Sequence, residues 1–162
     1  RASYAGVFDS GLETTHPMFA HISYVGWDYT GFMATPSALP AIDPCGHGTH
    51  VAGTILGLPF APNAEHRGNA PGLGFANNGR FRIVRTFGPG TCATNPCCWT
   101  SGVSIETNFS HFMSSYTDGG GQVTPKAHAV NNSWGSGVCN SACVCNPSWI
   151  GTDALSRSAD TL

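Results

Sequence analysis

A short apolar run near the start of the chain predicts a buried strand. Residues 3–8 read SYAGVF and lead into the polar turn Asp-Ser-Gly, which places Asp9 at the C-terminal end of that strand. In open α/β sheets, active sites collect beyond the carboxyl ends of the strands. Asp9 is therefore a candidate functional residue, and the structural alternative for it is a turn or N-cap aspartate.

A helical pattern follows at residues 47–57, which read HGTHVAGTILG. Apolar residues recur at helical spacing, and a Gly and a Pro at positions 57 and 59 supply a stop signal. The small residues Ala52 and Gly53 lie beside this stripe, so we expect a helix that another element can approach closely. The apolar positions of the stripe are Val51, Ile55 and Leu58.

The remaining patterns continue the alternation of strands and helices. Residues 81–87, FRIVRTF, alternate as a strand does, after a segment rich in turn residues. Residues 103–116 have near-helical apolar spacing, residues 126–135 predict a further strand, and residues 152–162 predict the opening turns of a helix. This order is typical of an α/β fold with a parallel sheet.

Composition and charge exclude two classes of partner. The chain has 162 residues, enough for one domain with its own core, and only 10% of them are charged. Seven Lys and Arg residues are scattered, and the net charge is −2, so the sequence offers no basic patch for nucleic acid. No run approaches the roughly 18 apolar residues of a membrane span.

Because a core strand is predicted only four residues after Arg1, we expect a processing boundary there and a true start upstream.

Six of the seven cysteines form two clusters, which favours disulfides that staple loops in an oxidising compartment, as in a secreted protein. Cys45 lies outside both clusters and would then remain a thiol or pair with something outside this chain. Reduced buried cysteines are one alternative. A zinc site is another, although neither cluster has paired C-x-x-C spacing. The clustered residues are Cys92, Cys97, Cys98, Cys139, Cys143 and Cys145.

Cys45, His47 and His50 lie within six residues and raise the question of a metal site. Two histidines on one helix can bind zinc, but the metalloprotease pattern spaces them at i and i+4 and places a glutamate after the first. Here Gly48 follows the first histidine, and no carboxylate occurs between Cys45 and Gly57. Metal binding, a structural pair of histidines, and His47 as a general base remain open on these residues alone.

Four segments in order carry a resemblance to subtilisin-like serine proteases (the subtilase family). Residues 47–53, HGTHVAG, resemble the histidine block, and residues 6–19, GVFDSGLETTHPMF, look like the aspartate block. Residues 70–87 are similar to the segment in which Ala-Pro-Gly precedes a strand. Residues 130–136, VNNSWGS, resemble the N-x-S-x-G strand that lines the substrate cleft. A pepsin-like aspartic protease would need two Asp-Ser/Thr-Gly sequences, and this chain contains only the one at Asp9.

The resemblance implies a three-layer α/β fold, with a mostly parallel sheet flanked by helices, incomplete in this chain. Residues 1–162 would form a partial peptidase domain. The implied activity is that of a serine endopeptidase, with Asp9 as the triad carboxylate and His47 as the general base. Gly48 and Gly53 would allow close backbone approach around the helix.

The resemblance also implies a place for the substrate. Ser133, Trp134 and Gly135 would present main-chain groups to an extended peptide, which favours peptide or protein substrates. Trp134 would wall a side-chain pocket, or else pack in the core. The reaction requires no cofactor, and the family's structural calcium is not supported, because Met18 occupies the position of the usual aspartate.

The family pattern breaks at the nucleophile. The chain contains no Gly-Thr-Ser, no G-x-S-x-G and no Ala-Gly-Asn segment for the oxyanion hole. One explanation is a fragment that packs against the remainder of its own polypeptide, which carries the serine block. The other is a catalytically inactive relative with a structural or peptide-binding role.

Overall fold

The computed structural model describes twelve stretches of the chain. They are residues 4–28, 37–38, 42–60, 65–71, 81–89, 99–101, 114–117, 121, 123–124, 126–133, 137–139 and 145–147.

A sheet with four parallel strands forms the centre of the described structure. Its strands are β1 (Ala5–Asp9), β2 (Tyr24–Asp28), β3 (Ser37–Ala38), β4 (Phe81–Arg85) and β9 (Ala129–Asn131). The strand order is β3-β2-β4-β1-β9, and the short edge strand β3 runs antiparallel to β2. The register aligns Ala5 with Phe81 and Asp9 with Arg85, so the carboxyl ends of neighbouring strands meet at one edge.

One α-helix, α1 (His47–Leu56), packs on this sheet within the described residues. Its buried stripe meets apolar side chains of β1 and β4 and of the short 3₁₀ helix Pro17–Phe19. Burial of each Val, Leu, Ile or Phe side chain in this cluster contributes about 1.5–3 kcal/mol. The cluster consists of Val7, Leu12, Phe19, Val51, Ala52, Leu56, Phe81 and Ile83.

Strand β4 is buried along its whole length, as expected for a central strand of a parallel sheet. Its two arginines are buried with it. Arg82 lies over the ring of Trp27 and donates a hydrogen bond to the carbonyl oxygen of Ser114 at 2.8 Å. Arg85 pairs with Asp28 at 3.1 Å. The two arginines of the strand are therefore buried and bonded to other residues, and they do not form an exposed basic face.

In the described stretches, three two-stranded antiparallel pairs lie outside the central sheet, and one of them corrects a prediction. The pairs are β5 (Phe87–Pro89) with β6 (Trp99–Ser101), β7 (Tyr116–Thr117) with β8 (Val123–Thr124), and β10 (Gly137–Cys139) with β11 (Cys145–Pro147). The helix predicted over residues 103–116 was wrong at its end. Tyr116 pairs with Thr124 across the β7–β8 ladder, which a helix would forbid. Residues 103–113 lie outside the described residues.

The predicted α/β class with a parallel sheet is confirmed, and it is consistent with an incomplete subtilisin-like fold. The predicted strands at residues 3–8 and 81–87 and the helix at 47–57 correspond to β1, β4 and α1. Strand β2 was not predicted. The helix predicted at residues 152–162 lies outside the described part, so the three-layer arrangement remains a prediction. None of the helices in the described stretches has the length and apolar character to cross a membrane.

Candidate functional site

Asp9 and His47, which are 38 residues apart in the chain, meet at the carboxyl edge of the sheet. Nδ1 of His47 lies 2.8 Å from Oδ1 of Asp9. Asp9 is fully buried at the end of β1, whereas the imidazole is 36% exposed. A carboxylate only accepts hydrogen bonds, so Nδ1 carries the proton and Nε2 of the neutral ring is the acceptor. The pair can therefore take a proton at Nε2 while Asp9 stabilises the resulting imidazolium.

The start of α1 fixes the position of His47. Gly46 is the N-cap residue and has a positive φ of 73°, a conformation that favours glycine. It supplies no side-chain cap. Two other residues satisfy the first amides of the helix: Ser10 Oγ accepts from Gly48 N at 3.0 Å, and Asp43 Oδ2 accepts from Thr49 N at 2.7 Å.

Gly48 allows the helix to approach the end of β1. A Cβ atom at this position would collide with the carbonyl oxygen of Gly11 and would lie 3.2 Å from Cβ of Asp9. Gly53 has a similar role further along, where a Cβ would meet Sδ of Met18 at 2.9 Å. The predicted close backbone approach is confirmed at Gly48, where the neighbour is the main chain of Gly11, whereas at Gly53 the neighbours are side-chain atoms of Met18 and Phe19.

Ser133, the first of the three predicted substrate-binding residues, lies at the same sheet edge. It follows the end of β9, which runs parallel to β1, and its hydroxyl donates to Oδ1 of Asn131 at 2.7 Å. The side chain is exposed. Trp134 and Gly135 lie outside the described residues, so the proposed peptide contacts of this segment remain predictions.

The residues that suggested a metal site, Cys45, His47 and His50, differ in how far their side chains are exposed. Cys45 is half-buried, and His50 is exposed on α1. In the described stretches, no group of three or more His, Cys, Asp or Glu side chains is arranged to hold a metal ion. Met18 does not fit calcium, because a neutral thioether is a poor ligand for a hard cation. Its main-chain oxygen accepts a hydrogen bond from Leu58 N at 3.0 Å, and its sulfur packs on Gly53.

A cavity of about 700 Å³ lies beside the first turns of α1. The rings of His16 and Phe60 pack edge to face at 5.1 Å in its wall, and Met18 adds apolar surface. His50 and Arg67 supply polar groups. Gly46 and Thr49, which lie on either side of His47 in the sequence, also line the cavity, whereas Asp9 and His47 themselves do not.

Sequence reasoning missed the polar residues that hold the pair. Ser10 stands in the predicted Asp-Ser-Gly turn without a role of its own, and no sequence pattern singles out Asp43. Ser10 Oγ donates to Asp43 Oδ1 at 2.8 Å, across 33 residues of sequence. The available signal was positional: a hydroxyl residue directly after Asp9, and a carboxylate four residues before His47.

Comparison with known proteins adds a partial similarity. No protein-family model matches the chain. A subtilisin-like proteinase, Mp1 of Magnaporthiopsis poae, is 42% identical over 57 residues. That match covers 35% of this chain and spans 13% of the relative's length. The similarity supports a protease-related origin.

Proposed function

We propose that this chain is the part of a subtilisin-like serine endopeptidase that carries the aspartate and the histidine of an Asp/His/Ser triad. The observation that carries the proposal is the contact of His47 Nδ1 with Asp9 Oδ1 at 2.8 Å, at the carboxyl edge of a parallel sheet. The partial similarity to a subtilisin-like proteinase supports the same class. Residues 1–162 would then be a partial peptidase domain.

In this proposal, His47 accepts the proton of a serine hydroxyl through Nε2 as the serine attacks the peptide carbonyl. Asp9 keeps the imidazole in the tautomer that leaves Nε2 as the acceptor and stabilises the imidazolium. The proton then passes to the leaving amine. The serine and the oxyanion-hole donors belong to the remainder of the polypeptide, because this sequence contains no Gly-Thr-Ser.

The proposed substrate is an extended peptide or protein segment. Main-chain groups of residues 133–135, which follow β9, would pair with it in the manner of an added strand. The cavity beside α1 would receive one of its side chains. We further propose that the protein acts in a secreted or other oxidising setting, in keeping with its clustered cysteines.

The test is covalent labelling of the full-length polypeptide that carries this sequence with a fluorophosphonate probe. Wild type should be labelled, and His47→Ala should lose labelling, because the serine is no longer activated. His128→Gln is a matched control, since His128 contacts Tyr4 near the opposite end of β1 and should leave labelling intact. Full labelling of His47→Ala would exclude the role proposed for His47.

A non-catalytic protein of the same fold, structural or peptide-binding, is the second candidate. The observation that favours it is the absence of Gly-Thr-Ser from this sequence. In that case the folded full-length polypeptide should show no labelling, although the contact between Asp9 and His47 persists. Labelling that depends on His47 would exclude this candidate.

A further inference from the structure

Asp43 occupies the turn before α1, and its carboxylate accepts three hydrogen bonds. Ser10 Oγ donates to Oδ1 at 2.8 Å. Thr49 donates twice to Oδ2, from its main-chain N at 2.7 Å and from Oγ1 at 2.6 Å. One half-buried side chain therefore binds the residue after Asp9 and the residue two positions after His47.

The direction of every bond in this group is determined. Because a carboxylate cannot donate, both hydroxyl hydrogens point to Asp43, and the hydroxyl oxygens are left to accept. Ser10 Oγ accepts from Gly48 N at 3.0 Å, and Thr49 Oγ1 accepts from Glu13 N at 2.9 Å. The network thus leaves no alternative orientation of the two hydroxyls while Asp43 is ionised.

The network reaches both members of the proposed catalytic pair through the peptide units next to them. The main-chain N–H of Ser10 donates to Asp9 Oδ1 at 2.7 Å, the oxygen that faces His47. On the other side, the bonded amides belong to Gly48 and Thr49, the two residues after His47. A displacement of Ser10, or of the peptide units of Gly48 and Thr49, would therefore change the distance between Asp9 Oδ1 and His47 Nδ1.

The charge of Asp43 also suits its position. The first turn of α1 contains no acidic residue, and a negative charge near the N-terminus of a helix stabilises it through the helix dipole. Asp43 combines this effect with two of its hydrogen bonds, which come from the helical residue Thr49. Gly46, the N-cap residue, offers neither.

We propose that Asp43 is a positioning residue that, through Ser10 and Thr49, holds His47 Nδ1 against Asp9 Oδ1. The catalytic consequence rests on the proposed peptidase function, whereas the effect on the contact itself does not. The proposal assigns Asp43 no contact with substrate.

The first test observes the hydrogen-bonded Nδ1 proton of His47 by NMR in the full-length polypeptide labelled with ¹⁵N-histidine. The resonance is assigned by its loss in His47→Gln. We expect it to broaden through faster exchange with water in Asp43→Ala and in Thr49→Val, which keeps the shape of Thr49 but removes the hydroxyl. Thr49→Ser retains the hydroxyl and should restore the resonance.

Glu13→Gln is the matched control, because it removes a nearby carboxylate that lies outside the network. The side chain of Glu13 accepts instead from the hydroxyl and main-chain N–H of Thr15, which hold the pKa of Glu13 below its ordinary value. The Nδ1 resonance should be unchanged in this variant. An unaltered resonance in a folded Asp43→Ala would overturn the proposal. If Asp43→Ala does not fold, an unaltered resonance in Thr49→Val would overturn it equally.

The second test measures peptide hydrolysis by the same variants. Because small errors in placing a catalytic group slow the chemical step, kcat should fall on the order of ten- to a hundredfold in Asp43→Ala, with KM nearly unchanged. Asp43→Asn keeps one acceptor and should lose less. If wild type shows no hydrolysis but the NMR effects appear, the peptidase function fails and the positioning role stands. If wild type hydrolyses peptides and kcat of Asp43→Ala is unaltered, the positioning role fails.

Discussion

Oδ1 of Asp9 faces two nitrogen donors at once: the main-chain N–H of Ser10 at 2.7 Å and Nδ1 of His47 at 2.8 Å. Asp9 is fully buried, so the charge of its carboxylate depends on these donors for compensation. The imidazole is the one of the two that reaches the surface. The buried carboxylate therefore fixes the orientation of the imidazole, and the exposed part of the ring stays accessible to a reactant.

Replacement of Asp9 by Asn should abolish most of the proposed activity and leave the substrate site intact. The amide can donate to Nδ1 and thereby favours the tautomer that has its proton on Nε2, so the ring can no longer accept a proton there. We expect kcat to fall by about 10⁴-fold with a small change in KM. Steady-state hydrolysis of a peptide substrate by the full-length polypeptide measures both.

Asp28→Asn provides the comparison for this variant. Asp28 ends β2 at the same sheet edge, but its carboxylate pairs with Arg85 at 3.1 Å. Its replacement should lower stability and, under conditions where the protein is folded, preserve kcat. A kcat for Asp9→Asn within tenfold of wild type would contradict the role proposed for Asp9.

Gly48→Ala should disturb the site through the backbone. The added methyl would overlap the carbonyl oxygen of Gly11, and because a main-chain atom cannot rotate away, the helix must move. We expect a loss of about 1–3 kcal/mol in the free energy of unfolding, measured by urea denaturation, together with loss of labelling by the fluorophosphonate probe.

Gly46→Ala is the matched control for that experiment. A Cβ atom at Gly46 meets nothing within 4 Å, so its cost arises from the positive φ alone, about 1–2 kcal/mol. Gly46→Asn should recover part of this loss, since Asn tolerates the left-handed region. Labelling that survives in Gly48→Ala but not in Gly46→Ala would contradict the close-approach argument.

The elements that the sequence predicted correctly are those whose apolar pattern is local. Strand β1 and helix α1 have continuous or periodic apolar residues, and both carry polar residues at a readable boundary. Strand β2 (Tyr24–Asp28) has a short apolar run with a glycine inside it, much like that of β1, and it was not predicted. A run of this length does not by itself distinguish a strand from a loop; β2 is a strand because its backbone pairs with β4 over five residues, which is a tertiary effect.

The same distinction holds for the site. Asp9 and His47 stand in short patterns that point to chemistry, so they could be singled out individually. The role of Asp43 depends on Ser10, which lies 33 residues away, and on amides of α1 that become available only when the helix forms. Such a network is a property of the folded backbone, and the sequence shows only its residue types.

Acid should destabilise the protein through His21. Loss of hydration lowers the pKa of His21 below its ordinary value of 6.5, and this outweighs nearby main-chain carbonyl groups of Met18, Leu56 and Pro71, which favour the charged ring. The unfolded chain therefore binds more protons than the folded protein below about pH 6.5. The stability contributed by neutral His21 is complete above that pH and decreases as the pH falls toward the lowered pKa.

Urea denaturation between pH 8 and pH 5 checks this expectation. His21→Gln removes the titrating group and should flatten the decline in the free energy of unfolding over this range. The exposed His66, changed to Gln in the same way, should leave the slope close to that of wild type. Equal slopes in wild type and His21→Gln would show that other groups cause the acid sensitivity.

Cys139 and Cys145 should form a disulfide in the oxidised protein. They are Cα partners at the end of the antiparallel β10–β11 ladder. Directly opposed residues in such ladders have Cα atoms about 4.5–5.5 Å apart, within the range of about 4.4–6.8 Å that a disulfide spans. Formation transfers two electrons and two protons from the thiols to a disulfide-bearing oxidant, so the bond is expected in a protein from an oxidising compartment.

Peptide mapping after alkylation without reduction distinguishes this pair from the third cysteine of the cluster. Cleavage after Ala142 and Val144 by elastase separates Cys139, Cys143 and Cys145 onto different peptides, and the first and last should remain linked. Cys143→Ser should leave that link intact, whereas Cys139→Ser should make Cys145 available to the alkylating reagent. A link from Cys143 to either neighbour would show that the backbone register does not determine the pairing. The register is informative because it places Cys139 opposite Cys145. Sequence spacing alone does not determine which two of the three cysteines in this cluster pair.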